Sequence, residues 1–155
     1  MRKILPIFLM LALPAGAQSV NECGEWTSAR NLPEPWEQHT ATYAKGRIRL
    51  AVLDTLEPAA AAMHLMVLSP PLDELGERQC RTVSMGPAVT AQGWPVGFLS
   101  LDFAAREARY DPEQGLVVTM LGGVHNPETG ATDIGELTVT INQSTGEITA
   151  EVAGS

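Results

Sequence analysis

The residue types that could do chemistry in this sequence are few and scattered. Three histidines, His39, His64 and His125, could hold a zinc ion only if an antiparallel sheet brought remote positions together. Their separation argues for three unrelated side chains, and His64, in an apolar stretch, is expected to be a hydrogen-bonded buried ring. Ser100 and Asp102 alternate onto one strand face with Phe98. No histidine is placed with them, and the solvated face of a strand explains both equally well. Oxygen-bearing side chains cluster at Asn126, Glu128, Thr129 and Asp133 without the alternating spacing of a calcium-binding EF-hand loop. There is no Gly-x-Ser-x-Gly elbow, phosphate-binding glycine loop, His-Glu-x-x-His or Cys-Cys-His zinc spacing. No catalytic residue, metal site or cofactor is assigned, and the expectation is a protein that is not an enzyme.

Two other constellations carry more information. Trp26, Trp36 and Trp94 all fall in irregular stretches (Cys-Gly-Glu-Trp, Pro-Glu-Pro-Trp, Gly-Trp-Pro) rather than in the strand pattern. Loop tryptophans at the mouth of a β-domain can stack on a ligand or anchor a partner, so the three are candidate binding residues. The competing expectation is that they fold inward as lids over the ends of a core with few other aromatics. Cys23 and Cys80 are the two cysteines of the chain, and an even pair without a Cys-x-x-Cys motif in an exported protein is most simply one structural disulfide. It would tie the Pro-rich N-terminal segment onto the domain, with a chain-entropy contribution of at most about 4 kcal/mol.

The elements that must position these residues are strands. Residues 18–35 read as loop, with Asn21, Gly24, Asn31, Pro33 and Pro35 as breakers. Strands are expected over 39–44 and, after a Lys45-Gly46 turn, over 47–54, where Ile48, Leu50 and Val52 face one way and Arg47 and Arg49 the other. Residues 58–68 suggest a turn of helix and then a strand stopped by Pro70 and Pro71, with another helical turn over 71–76 ended by Gly76. A strand follows over 79–85. Between Phe98 and Tyr110 the apolar side moves from odd positions (Leu99, Leu101, Phe103) to even ones (Ala104, Ala108, Tyr110), which requires a bulge or break near Ala104-Ala105. Residues 116–124 are apolar on both sides and are expected to form a central strand. The alternation of Leu137, Val139 and Ile141, then Ile148, Ala150 and Val152, marks a closing hairpin around Asn142–Gly146. The loop at 126–130 shares its Asn-x-x-Thr-Gly turn chemistry. The fold class is all-β: a small antiparallel sandwich or barrel of about seven to nine short strands.

The N-terminus supplies a compartment. Arg2 and Lys3 precede an apolar run from Ile4 to Leu13 and the small residues Ala15, Gly16 and Ala17, the pattern of a secretory signal peptide cleaved after Ala17. The expected arrangement is a signal peptide over 1–17 and one exported domain over 18–155, periplasmic or secreted. Gln18, not cysteine, follows the cleavage site, so no lipid anchor is expected, and no segment is long enough to span a membrane as a helix. Residues 18–155 carry eight basic and eighteen acidic side chains, a formal charge of −10. Such a domain lacks the positive field that nucleic acid requires and steers cationic partners towards itself. In outline (signal peptide, acidic β-domain, one disulfide) it resembles small periplasmic proteins that include lysozyme inhibitors. The leading expectation is a non-enzymatic β-domain that binds a basic exported protein, a cationic cell-envelope hydrolase being the sharpest case. One alternative is a barrel holding an apolar small molecule, suggested by the two-sided strand near Val117–Leu121 and by Met63, Met66, Met85 and Met120. The other is a hydrolase or metal enzyme built from remote residues such as His39, His125 and Asp102.

Overall fold

A computed structural model describes residues 18–56, 61–86 and 89–154. They form ten strands: β1 (Ser19–Glu22), β2 (Thr40–Tyr43), β3 (Ile48–Asp54), β4 (Met63–Leu72), β5 (Arg78–Ser84), β6 (Ser100–Leu101), β7 (Glu107–Asp111), β8 (Gly115–His125), β9 (Thr132–Ile141) and β10 (Ile148–Ala153). A four-residue helix, α1 (Trp36–His39), and single 3-10 turns complete the regular structure. All pairings are antiparallel, in a first sheet of order β1-β5-β4-β3-β2 and a second of order β10-β9-β8-β6, with β7 also paired to β8. Among the described residues an isolated bridge, Met63–Phe98, links the two, and the architecture is a sandwich rather than a closed barrel. The signal-peptide segment lies outside the described residues.

The core is the pair of inner faces. Ile48, Leu50 and Val52 of β3, Leu65 and Val67 of β4, and Val83 of β5 pack against Leu116, Val118 and Met120 of β8 and Leu137, Val139 and Ile141 of β9, all buried. These are the positions that two-residue alternation assigns to one face. As expected, β8 is central, with β9 on one side and β6 and β7 on the other. The parity change between Phe98 and Tyr110 is resolved by a break: β6 ends at Leu101, Phe103 turns into the core, and β7 begins at Glu107. The two Asn-x-x-Thr-Gly turns are one structure used twice. In each the asparagine Oδ1 accepts two backbone N–H groups (from Glu128 and Thr129, and from Ser144 and Thr145), and the glycine N–H donates to the asparagine carbonyl at 2.8 Å.

Three expectations are corrected. Residues 18–35 are not all loop, because Ser19–Glu22 pairs in register with Arg81–Ser84. A segment with one apolar residue gives no strand signal by itself, and the ladder of β5 supplies what its side chains do not. The strand after Ala62 does not stop at the prolines. It continues to Leu72 across a register shift between Ser69 and Leu72, where the missing N–H groups of Pro70 and Pro71 cost no ladder bond. The segment after it is a hairpin turn rather than a helical one: Asp73 N–H and carbonyl bond Glu77 and Gly76, and its carboxylate accepts from Leu75 and Glu77. Part of the helical turn expected from Pro58 lies outside the described residues, and Ala62 accepts a ladder-like bond from Thr55 N–H.

Candidate functional site

The sandwich has two outer faces, and the candidate residues divide between them. Register places Arg49 and Leu68, then Ala51, Met66 and Thr82, then Leu53 and His64, in successive rows on the outer face of the first sheet, with Ser84 bonded to His64. Much of this face is covered. The segment after β1 crosses it and is held at its start by the Cys23–Cys80 disulfide, whose Cα atoms are 5.4 Å apart. Trp26 is thereby laid over His64, with ring centroids 4.6 Å apart, and Trp94 packs beside Trp26 at 6.3 Å. Two of the three loop tryptophans thus meet. Trp26 is 6% exposed, whereas Trp36, on α1, is 53% exposed and stands apart from them.

Beneath Trp26, His64 Nδ1 lies 2.9 Å from the hydroxyl oxygen of Ser84. Burial pushes the imidazole down to about 4, against a weaker opposing pull from the Asp54 carboxylate, so the ring is neutral at neutral pH. A serine hydrogen-bonded to a histidine, with an acid on the neighbouring strand, has the residue types of nucleophilic catalysis. Ser84 has no exposed surface and His64 only 1%, however, and Asp54 uses its carboxylate to cap Leu56 N–H at 2.8 Å. A substrate would have to displace Trp26 to reach them. The arrangement is a satisfied buried polar pair under an aromatic cover, as expected of His64 from its apolar setting.

The covering segment does not fill the whole face. Between residues 27–32 and the strands β2, β3 and β4 runs a groove of about 350 Å³, floored by Ala51, Leu53, Met66 and Leu68, with Leu32 and Ala29 on the far wall and Arg49 among its lining residues.

The outer face of the second sheet is open. Register aligns Glu107, Thr119, Thr138 and Glu151 in one row and Arg109, Val117, Thr140 and Thr149 in the next. A shallow depression of about 560 Å³ lies over the second of these rows, edged by Glu113, Glu147 and Glu151. Towards the other end of the sheet, Leu121 is opposite Glu136 and Ile134 opposite Gly123, and the two aliphatic side chains are 51% and 54% exposed. The face therefore combines a threonine field, acidic side chains and two aliphatic anchors. Alternation along β9 and β10 had already separated Glu136, Thr138 and Thr140 from the core side. Leu121 belongs to the two-sided apolar run of β8, yet it lies in water, and neither it nor Ile134 could be placed there from sequence, because nothing local distinguishes an aliphatic residue left in water from one in a core.

The remaining candidates do not converge. His39 bonds the Pro35 carbonyl through Nδ1, and His125 is an exposed residue at the end of β8. Asp102 caps Ala105 N–H at 3.2 Å, and Asn126 donates to Asp133 at 2.7 Å while its Oδ1 holds the turn. Among the described residues no three His, Cys, Asp or Glu side chains converge as metal ligands, and no helix is long and apolar enough to cross a membrane. No protein-family model, no curated protein and no solved structure matches this chain.

Proposed function

We propose that this chain is an exported, non-enzymatic β-sandwich that binds a basic protein through the open outer face of its second sheet. The observation that carries the reading is the pairing of exposed aliphatic anchors with acidic residues on one face: Leu121 and Ile134 beside Glu136, with Glu107 and Glu151 farther along the threonine field. Apolar side chains enclosed by a polar rim are the usual anatomy of a protein interface, and a one-signed charge field directs approach of the opposite charge. The residues from Ser100 to Ser155 contain nine acidic and two basic side chains, so the field belongs to this half of the molecule. A cationic cell-envelope hydrolase is the partner class that combines such a charge with the same compartment. Export, with cleavage after Ala17, is part of the proposal, and the Cys23–Cys80 disulfide is compatible with it.

The test is titration calorimetry of the oxidised chain against a purified basic peptidoglycan hydrolase, with a basic protein of unrelated activity as control. One-to-one binding to the hydrolase that weakens with salt, and that Glu136→Lys and Glu151→Lys reduce, supports the reading. Absence of binding to basic hydrolases at low salt, or binding indifferent to both substitutions, overturns it. Amino-terminal sequencing of secreted protein that begins elsewhere than Gln18 removes the proposed cleavage site.

A further inference from the structure

On the opposite face, we infer that the groove between residues 27–32 and the first sheet is a binding site for an amphiphilic monoanion, a single aliphatic chain ending in a carboxylate. Its floor is aliphatic: Ala51, Leu53, Met66 and Leu68 point outward from two paired strands in a sheet whose other side is already a complete core. Leu53 and Ala51 are sheltered from above by the disulfide-held segment, so a chain laid along the floor would be enclosed on two sides. A groove of about 350 Å³ falls in the range of small-molecule sites, which are mostly apolar with a few placed polar groups. The polar group is Arg49. It precedes Ala51 and Leu53 on the outward side of β3, and its partner on β4 is Leu68. Two salt bridges form among the described residues, Arg81–Glu22 and Arg109–Asp111, and Arg49 takes part in neither. A guanidinium with no carboxylate partner among the described residues, beside an aliphatic channel, complements a carboxylate on an aliphatic tail, since its planar donors match that group bidentately. The local charge permits an anion: residues 30–81 hold six basic and seven acidic side chains, close to balance, whereas residues 100–155 hold two and nine. The site is independent of the acidic face and stands or falls without it.

Calorimetric titration of the oxidised chain with decanoate tests the assignment, with decanol as the uncharged probe and Arg49→Gln and Leu68→Gln as variants. Arg49 is exposed and Leu68 half-buried, so both variants are expected to fold, which thermal melts verify. The expected result is one saturable decanoate site per chain. Affinity should fall about tenfold in Arg49→Gln, while decanol binds both forms alike. Leu68→Gln should weaken both probes. No saturable decanoate binding overturns the proposal. Equal decanoate affinity with and without Arg49 overturns the carboxylate assignment, and binding unaffected by Leu68→Gln places the ligand elsewhere.

Discussion

On the first sheet, the outward row Leu53 and His64, with Ser84 bonded to His64, lies beneath Trp26 and is nearly removed from water. On the second, the outward row Glu107, Thr119, Thr138 and Glu151 faces solvent. Both rows come from regular antiparallel strands, and the inner sides of both sheets contribute to one core. The difference lies in what crosses over them. A covered outer face needs a segment brought from far along the chain, and here that segment is the N-terminal stretch held by a bond that spans 57 residues of sequence. An open outer face needs only side chains that water can satisfy, and threonine and glutamate on neighbouring strands supply them. The first face has become a second, smaller core with a groove left in it, and the second is free to meet another molecule.

The largest expected effect is on the cover. Replacing Cys23 and Cys80 by serine should lower stability by up to about 4 kcal/mol, read from urea unfolding. In hydrogen exchange, protection should be lost first in β1 and the outer residues of β3 and β4. If β8 to β10 lose protection equally, the two faces are one cooperative unit and the comparison fails. Next is pH. The His64 pKa is about 4 in the folded protein against 6.5 for an unperturbed histidine, so between these values the unfolded chain binds a proton that the folded chain does not. Stability is full above pH 6.5 and falls as pH drops to about 4, by about 3 kcal/mol for this group. His64→Leu should flatten that part of the pH–stability curve even if the variant is less stable overall. A slope that persists unchanged locates the sensitivity elsewhere.

The twin turns give a smaller and more local contrast. Gly130 and Gly146 both have positive φ, at 71° and 81°. A Cβ at 130 meets nothing, whereas one at 146 would lie 2.5 Å from Pro71 Cδ, where the second sheet's turn docks on the first sheet through Gln79 Nε2 and the Gly146 carbonyl. Gly130→Ala should cost about 1 kcal/mol for backbone conformation alone, and Gly146→Ala roughly 1–3 kcal/mol more, in thermal or urea melts. Equal costs would show that the docked turn yields freely. The smallest effect on the fold belongs to the open face. Leu121→Ser and Ile134→Ser should each change stability by no more than about 0.5 kcal/mol, while together weakening the basic partner about tenfold or more. A large stability loss would mean that these side chains support the fold instead.

Much of the second sheet was legible from its residues, because its information is local. Alternation along residues 136–141 and 148–152 assigned inside and outside correctly, and the asparagine-threonine-glycine turns carry their own hydrogen bonds. The phase change after Phe103 located the break between β6 and β7. The first sheet was harder to read where its structure depends on distant partners. β1 is a strand because β5 offers it a ladder, and β4 runs through two prolines because the pairing shifts there. Of the candidate tryptophans, the sequence showed that they stand outside the strand pattern but not which would meet.

Composition and periodicity by themselves determined an all-β domain, the core-facing sides of β3, β9 and β10, an acidic charge and a cysteine pair suited to one disulfide. Those properties follow from two-residue side-chain alternation, turn chemistry and charge, all of which act within a few residues. Only the tertiary structure decided that the sheets form a sandwich, that Trp26 and Trp94 close over His64 while Trp36 stays outside, and that Leu121 and Ile134 remain in water. Those outcomes depend on which remote segments meet, and burial is a property of the neighbours a residue acquires rather than of the residue itself.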